Sequence, residues 1–388
     1  MINNALFHLA LPLGKTHNVK SNCVSSGGTK TQFKSQRTNM KRLGNVFEKI
    51  YDIENLRKAH YNARKGKAHY KEVQMVNQNE DYYLKKLQLM LKEKSYKTSE
   101  YVLYNVNDKG KVREISKLPY FPDRICHWAI MLQIEDMFRK NFIYDTYASI
   151  PQKGTHVLID KLKKTIQNKD ETCYCLKLDI KKFFPNINHE ILKNMLRLKI
   201  KDKDLLWLLD EIVDSAKSGL PIGNYLSQYL SNFYLSYFDH WLKEKMKIRH
   251  YFRYMDDIII LHSSKTYLHG LLKSQIIPYL NNNLKLTVKE NWQIFPTFVR
   301  GIDFLGYRVF ENYVLLRKKV SKNIKKKVKS IEKNGVKSND INSIMSYMGW
   351  IKHCNGHNFF KKHLEQVIRR IKKYEKVVKQ KQAKQCMG

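Results

Sequence analysis

The sequence predicts an α+β protein in which an antiparallel sheet is backed by helices. Short apolar segments rich in β-branched residues, such as 176–180 and 258–261, have the composition of buried strands. Longer stretches, such as 188–215 and 227–240, space their apolar residues as helices do. The 388 residues, 43% of them hydrophobic, are enough for two or three subdomains with extended cores.

The N-terminal part predicts helices and one hairpin. Residues 46–94 repeat apolar side chains at helical spacing, and so do residues 126–142. Between them, residues 101–115 alternate in polarity around Asn-Asp-Lys-Gly at 107–110, a sequence typical of a hairpin turn. Residues 1–39 are rich in Ser, Thr, Asn, Gly and Lys and predict a disordered tail.

The central part predicts the sheet. A strand at 172–180 ends in an acid, and a hairpin at 250–262 carries two more. Residues 276–310 are expected to complete the sheet, and the helical stretches between the strands are expected to cover it. The loop at 219–228 contains two glycines, which permit close backbone approach to a ligand.

The C-terminal part predicts basic helices. Val320, Ile324, Val328 and Ile331 are spaced as one face of a helix, which Gly335 should end. A last helix is predicted by the apolar positions Leu364, Val367, Ile368 and Ile371. From residue 317 to the end there are 21 Lys and Arg against 4 Asp and Glu, a net charge of +17. A charge run can be a solvated helix face, but this magnitude favours phosphate contact.

The most informative feature of the chain is the tetrapeptide 254–257, Tyr-Met-Asp-Asp. Asp256 and Asp257 adjoin the apolar run 258–261, where like charges repel and raise each other's pKa. A divalent cation is the usual reason to tolerate such a pair, and hard oxygen ligands suit Mg²⁺ or Mn²⁺. On these residues alone, a polar hairpin turn is the alternative.

A third carboxylate favours the metal interpretation. Asp179 ends the predicted strand and can bridge two ions, while the backbone carbonyl of Ile180 can add a further oxygen. Two ions about 3.5–4 Å apart clamp the attacking and leaving oxygens in nucleotidyl transfer. We therefore expect Asp179, Asp256, Asp257 and Ile180 to hold two Mg²⁺ ions, with Mn²⁺ as a substitute.

These residues resemble the palm motifs of reverse transcriptases. Asp179 with Phe184, the loop 219–228 and the tetrapeptide 254–257 follow one another in that family's order. Four further blocks resemble the family's: 111–115, 122–125, 284–289 and 301–307. The resemblance implies a right-hand polymerase fold of the α+β class. Its fingers would occupy 40–171, its palm sheet 172–312 and its basic helical thumb 313–388.

The resemblance also implies roles in nucleotide binding. Arg113 and the weaker candidate Lys111 would meet the triphosphate, Phe184 would clash with a ribose 2′-OH, and Lys289 would protonate the leaving pyrophosphate. The other expected nucleotide contacts are Ile222, Gly223 and Gln228. The expected primer and template contacts are Tyr254, Phe304, Leu305 and Gly306. Solvated surface charge is the alternative for the cations, and core packing is the alternative for Phe184.

The middle loop narrows the resemblance to one subfamily. Group II intron and retroviral enzymes usually carry Gln-Gly and Ser-Pro there, whereas this chain has Ile222-Gly223 and Ser227-Gln228, as the enzymes of diversity-generating retroelements do. That subfamily copies a template RNA into error-prone cDNA that diversifies a target gene, with a small basic accessory protein. Ile222 has no side-chain hydrogen bond to offer, so lower fidelity is the expected direction, unless Ile222 only packs under the loop.

Composition agrees with a nucleic-acid partner. The net charge of +37 requires a polyanion, and 12% aromatic residues favour stacking on bases over a membrane surface. The expected partners are template RNA, an RNA/DNA hybrid and dNTPs. No apolar run reaches the roughly 18 residues that span a membrane. The spacing of the six cysteines suggests no disulfide framework, so we expect a cytoplasmic protein, encoded by a bacterium or a phage.

The sequence is therefore compatible with three functions. The first is a polymerase of the diversity-generating type. The second is a group II intron, retron-like or phage-defence reverse transcriptase. The third is a basic RNA-binding scaffold with an inactive polymerase fold, against which the three intact carboxylates Asp179, Asp256 and Asp257 argue.

Overall fold

The computed structural model describes residues 42–108 and 111–385. The side chains that lie outside this description are those of residues 107, 108, 111, 113, 378, 379 and 381–385. The predicted tail at 1–39 and the turn residues Lys109 and Gly110 also lie outside the described residues. Within the described part, helices and antiparallel sheets follow one another along the chain, which confirms the α+β class.

Four short helices occupy the region where helical spacing is predicted over 46–94. They are α1 (Phe47–Tyr51), α2 (Ile53–Ala63), α3 (Lys71–Gln78) and α4 (Glu80–Lys92). Helix α2 begins where the carboxylate of Asp52 accepts hydrogen bonds from the backbone N–H groups of Glu54 and Asn55. The apolar stripes of α2 and α4 are buried, so these helices form one packed layer.

The predicted hairpin and the helix after it are both present. Strand β1 (Val102–Asp108) pairs antiparallel with β2 (Lys111–Lys117), so that Tyr104 lies opposite Ile115. Helix α5 (Ile125–Asn141) coincides closely with the predicted helix at 126–142. Ile130, Ile134 and Phe138 are fully buried along α5, which makes this helix the centre of the N-terminal part.

Seven α-helices lie in the part of the chain described between 155 and 284. They are α6 (Thr155–Thr165), α7 (Lys169–Thr172), α8 (His189–Lys199), α9 (Lys203–Asp214), α10 (Tyr225–His240), α11 (Lys265–Leu271) and α12 (Ile277–Leu284). Asp202 caps α9 by accepting from Leu205 N at 3.1 Å, and it also accepts from Val46 N at 2.7 Å and Phe47 N at 3.0 Å. One carboxylate thus joins the start of α1 to the start of α9.

The central sheet has four antiparallel strands in the order β4-β5-β3-β6. They are β3 (Tyr174–Asp179), β4 (His250–Tyr254), β5 (Asp257–His262) and β6 (Gln293–Pro296). Residues 258–261 are all buried because β5 has a neighbour on each side and is covered on both faces. The strand predicted at 172–180 begins at Tyr174, since α7 occupies the preceding residues.

Of the strands in the segment 276–310, only β6 joins this sheet. After α13 (Thr297–Arg300), three short strands form a separate antiparallel sheet: β7 (Ile302–Phe304), β8 (Tyr307–Val309) and β9 (Val314–Leu316). The expectation that 276–310 joins the central sheet was therefore wrong for β7 and β8. Strands of three residues pair with their nearest neighbours in sequence, and nothing in their composition encodes a more distant partner. The predicted boundary at 312 falls between β8 and β9, and the subdomain limits stay predictions.

The C-terminal part is helical and has its own apolar cluster. Its helices are α14 (Lys318–Asn334), α15 (Ser338–Lys352), α16 (His357–His363) and α17 (Glu365–Gln385). Ile324, Val328 and Ile331 of the predicted stripe on α14 are buried and Val320 is half-buried, and the helix ends at Gly335, whose φ is +76°. Of the helices in the described residues, none is both long and apolar enough to cross a membrane.

Candidate active site

The central sheet brings the three predicted carboxylates to one end. Strands β3 and β5 are antiparallel, and their register places Asp179 directly opposite Asp257. Tyr254 pairs with Asp257 across β4 and β5, so Met255 and Asp256 form the two-residue turn between these strands. Met255 adopts φ +54°, a left-handed conformation that is uncommon for a side chain of this kind. This tight turn fixes Asp256 beside the facing pair.

The closeness of the three carboxylates perturbs their protonation. Burial, the charge of Asp179 and the charge of Asp257 together raise the pKa of Asp256 from 3.8 to about 7. Burial and Asp179 also raise the pKa of Asp257. Three cations oppose the rise at Asp257, namely Lys177, Lys289 and Arg317. Near neutral pH the Asp256 carboxyl therefore holds its proton more tightly than a free aspartate does, because burial and the two neighbouring charges disfavour its ionised form.

The chemistry of the donor set fits a hard divalent cation. Oδ1 of Asp179 is buried and, among the described residues, receives no hydrogen bond. Oδ2 of Asp179 accepts from the ammonium group of Lys289 instead. No three His, Cys, Asp or Glu side chains of the described residues are already arranged around one point as a metal site. The three carboxylates lie at the same end of the sheet, but the ammonium group of Lys289 already contacts one oxygen of Asp179 and partly neutralises its charge.

Lys289 is brought to Asp179 by backbone pairing. Lys289 N donates to Asp179 O at 2.8 Å, and Lys181 N donates to Thr287 O at 2.8 Å, on either side of an Ile180–Val288 bridge. Neither bond uses the carbonyl of Ile180. The predicted proton donor thus lies next to the carboxylates, and its role stays a prediction.

Phe184 and the middle loop meet through backbone contacts. Phe183 is buried, whereas Phe184 is half-buried and starts a single 3₁₀ turn. The carbonyl of Phe184 accepts from Leu220 N at 2.9 Å, which docks the loop against the backbone of this turn. Phe184 is therefore neither solvent-exposed nor part of the deep core, and a sugar-facing role for its ring remains a prediction.

The middle loop is also bonded to the N-terminal hairpin. Ser116 N on β2 donates to Ile222 O at 3.0 Å. Gly223 has φ +126°, and a Cβ there would lie 3.0 Å from Ser116 O, so a side chain at 223 would strain both the loop and the hairpin. Lys111 and Arg113 lie on this same strand, with their side chains outside the described residues. Sequence reasoning did not anticipate this contact, because residues 116 and 222 are far apart in the chain.

The side chains of Ile222 and Gln228 are both half-buried at the loop and the start of α10. Ile222 is therefore partly accessible, and both a nucleotide contact and packing under the loop stay open for it. Gln228 lies in the first turns of α10, and its backbone carbonyl accepts from the hydroxyl of Ser231 at 2.9 Å. The two predicted nucleotide contacts thus lie on one continuous loop–helix segment.

The predicted primer and template residues divide into core and turn positions. Phe304 is 1% exposed, so its ring packs in the core, and its role as a primer or template contact stays a prediction. Leu305 and Gly306 form the turn between β7 and β8, with φ +44° and +86°. A Cβ on Gly306 would lie 2.2 Å from the ring of Trp350, so only glycine fits there. Half-buried Leu305 is thus the accessible member of this turn, and half-buried Tyr254 packs against the same core.

Sequence reasoning also missed cations that surround the carboxylates. Nζ of Lys177 on β3 donates to Asp303 O at 2.6 Å, and Arg317 Nε donates to Oδ1 of Asp303 at 2.5 Å. These contacts connect the central sheet to the three-stranded sheet and place two positive charges near Asp257. Lys177 stands two residues before Asp179 on the same face of the strand, a signal that alternation alone would have shown.

Comparison with known proteins gives a family match over the site and much of the fold. Residues 94–309, more than half of the chain, match the family model described as reverse transcriptase (RNA-dependent DNA polymerase). The matched segment begins after α4 and ends at β8, so it contains Asp179, Asp256 and Asp257. It leaves out the helices of the C-terminal part.

Three similar proteins illustrate the match. Protein YkfC of Escherichia coli (strain K12) is 23% identical over 250 residues, 53% of this chain and 65% of that protein. Group II intron-encoded protein LtrA of Lactococcus lactis subsp. cremoris is 26% identical over 156 residues, 37% of this chain and 26% of that protein. Retron Ec73 reverse transcriptase of Escherichia coli is 26% identical over 204 residues, 48% of this chain and 64% of that protein. The chain spans less than two thirds of each relative.

Proposed function

The chain belongs to the reverse transcriptase family, as the match over more than half of its length shows, and we propose that it copies an RNA template into DNA. One observation carries the proposal: Asp179, Asp256 and Asp257 meet at one end of the central sheet, and one buried oxygen of Asp179 receives no hydrogen bond among the described residues. This is the donor set that nucleotidyl transfer with divalent cations requires.

Reverse transcriptases generally use divalent metal ions, and we assign Asp179, Asp256 and Asp257 as the groups that would hold Mg²⁺ here. Bound Mg²⁺ would supply charge stabilisation to the phosphoryl group and to the attacking and leaving oxygens. The carbonyl of Ile180, which neither flanking backbone bond uses, is a further candidate ligand. Mn²⁺ has the same preference for oxygen ligands and would serve in its place.

Other residues of the chain would orient the nucleotide and move a proton. Lys289 Nζ, which donates to Asp179, would give its proton to a leaving pyrophosphate. Phe184 would lie against the sugar, and Arg113 with Lys111 would meet the triphosphate. Because Ser116 is bonded to Ile222, a movement of the hairpin towards the nucleotide would be transmitted to the loop.

The template and its hybrid with the product would lie along the basic C-terminal helices. The stretch from 317 to the end carries a net charge of +17. On α14, Lys322, Lys325, Lys326 and Lys329 are exposed. A polyanion along this surface would release counterions from its phosphates. The proposed substrates are therefore template RNA, the RNA/DNA hybrid and dNTPs.

Within the family, we favour error-prone copying of the diversity-generating type, together with the small basic accessory protein of that subfamily. Its support is the pair Ile222 and Gln228 on one segment of the site, where an amide is replaced by an apolar side chain. The bacterial relatives and the four unpaired cysteines of the described residues agree with a reducing cytoplasm. Relatives named as a group II intron-encoded protein and a retron reverse transcriptase favour the second candidate, an enzyme of those kinds.

The decisive experiment separates catalysis from binding. Primer extension on a defined RNA template with Mg²⁺ should be lost in the double variant Asp256→Asn, Asp257→Asn. The affinity of this variant for the same RNA should stay within about threefold of that of the unaltered protein, because exposed lysines bind the phosphates. Extension by the double variant at the unaltered rate would refute the assignment. Absence of extension by the unaltered protein, with RNA binding intact, would favour the scaffold interpretation.

A further inference from the structure

A fully buried arginine lies immediately before the tetrapeptide 254–257. Arg253 is on β4, is 0% exposed, and is the largest fully buried side chain in the described residues. A guanidinium has five N–H donors in a rigid fork and cannot lose its charge in a protein. Its burial is costly unless every donor is satisfied.

One side of the guanidinium is held by helix α10. Arg253 Nε donates to Oδ1 of Asp239 at 2.8 Å, and Nη2 donates to Oδ2 at 2.5 Å. Asp239 is itself 0% exposed. The hydroxyl of Tyr251 donates to the same carboxylate at 2.6 Å. Tyr251 and Arg253 reach one partner because alternate residues of a strand point to the same side.

The other side of the guanidinium reaches the turn. Arg253 Nη1 donates to Oδ1 of Asn232 at 2.9 Å and to the backbone carbonyl of Met255 at 3.1 Å. Met255 is the left-handed residue of the turn, and its carbonyl belongs to the peptide bond that leads into Asp256. The side chain thus connects the buried face of α10 to the peptide that orients a metal-binding carboxylate.

The strand is also held by backbone pairing that does not involve the guanidinium. The backbone of Arg253 is fixed on one side by β5, and on the other by bonds from Arg253 N to Asp145 O and from Tyr147 N to Arg253 O, each of 3.1 Å. Apolar side chains of similar volume often replace a buried ion pair without loss of stability. What they cannot replace is the bond to the Met255 carbonyl.

We propose that Arg253 is a positioning residue for the carboxylate site, which acts through the carbonyl of Met255 to hold the turn and Asp256 in the geometry that binds a divalent cation. Asp239 and Asn232 on α10 fix the guanidinium for this task. The proposal rests on the proposed function and adds to it a residue that touches neither metal nor substrate.

The test compares two variants that perturb the same buried carboxylate. Arg253→Lys keeps a positive charge for Asp239 but loses the fork that reaches Met255. Tyr251→Phe removes a bond to Asp239 and leaves the bond to Met255 intact. For Arg253→Lys we expect Mn²⁺ affinity, measured by electron paramagnetic resonance on protein stripped of metal, to fall about 10- to 100-fold, and kcat to fall with it. For Tyr251→Phe both should change by less than about threefold, and RNA affinity should be unchanged in both variants.

A second variant covers the case in which Arg253→Lys does not fold. The double change Arg253→Gln, Asp239→Asn removes both charges together and so leaves no unpaired buried ion. The same loss of Mn²⁺ affinity is expected from it. Unaltered Mn²⁺ affinity in a folded Arg253 variant, or an equal loss in Tyr251→Phe, would overturn the proposal. If the unaltered protein binds Mn²⁺ but extends no primer, the proposed function fails, while the Mn²⁺ measurement still decides the role of Arg253.

Discussion

Replacing Asp256 by asparagine should stabilise the metal-free protein at neutral and alkaline pH. Asparagine has nearly the same shape as aspartate but no charge. At its position in the turn it would no longer repel Asp179 and Asp257, which the central sheet brings to the same end. Because the site is half-buried, water relieves this repulsion only in part.

The sign and size follow from the pKa of Asp256. Burial with the charges of Asp179 and Asp257 raises this pKa from 3.8 to about 7, so the folded protein binds the proton more tightly than the unfolded chain does. The stability due to that proton is fully present below the unfolded pKa and is lost as the pH rises towards the folded pKa. Each unit of difference between the folded and the unfolded pKa corresponds to about 1.4 kcal/mol, so the full loss is on the order of 4 kcal/mol. Partial exposure and the sharing of charge among three carboxylates reduce the expected gain to roughly 1–2 kcal/mol.

The assay is urea unfolding in the presence of a chelator, at several values from about pH 4.5 to about pH 8. The variant should exceed the unaltered protein in unfolding free energy at the upper end, and the difference should shrink towards the lower end. Added Mn²⁺ should stabilise the unaltered protein more than the variant, because mass action favours the form with more ligands.

Asp303→Asn is the matched control. Asp303 is also half-buried, but it accepts from Arg317 Nε at 2.5 Å, so its removal leaves a cation without its partner. It should lower the unfolding free energy, the opposite sign. An Asp256→Asn variant that is less stable than the unaltered protein at about pH 8, or a difference that does not depend on pH, would refute the reasoning.

Two further predictions concern binding and fidelity. Affinity for an RNA/DNA hybrid should fall steeply between about 50 and 200 mM salt. The double variant Lys326→Gln, Lys329→Gln on α14 should reduce the slope of log affinity against log salt concentration by about 1–2. A nearly flat dependence in the unaltered protein would exclude the basic helices as the binding surface. Ile222→Gln should lower misincorporation severalfold with polymerisation retained, because a new polar contact is worth on the order of 1 kcal/mol. Sequencing of cDNA from a defined template measures this, with Ile222→Val as an apolar control. An unchanged error spectrum in an active Ile222→Gln variant would show that Ile222 only packs.

Local patterns in the sequence predicted most elements that later proved to surround the site. Alternation around a turn predicted the hairpin β1–β2, and helical spacing predicted α5 and the apolar stripe of α14. These signals are local: side chains a few residues apart share a face, so their chemistry can be read along the chain. Helix α15 was not predicted: Ile344 and Ile351, two of its buried positions, lie seven residues apart and pack in one cluster with side chains of α14 and α17.

The sequence by itself determined the class of the fold and the family, and it singled out the three carboxylates that the central sheet brings to one end, because these depend on residue type and order. Tertiary structure alone decided what surrounds them. Three contacts show this: Lys289 pairs with Asp179, Ser116 N donates to the carbonyl of Ile222, and Arg253 donates to the carbonyl of Met255. No local periodicity in the sequence encodes them. The same holds for β7 and β8, which form their own sheet. Such contacts arise when burial forces each charged or polar group to find a partner, and the partner is chosen by the packing of the whole chain.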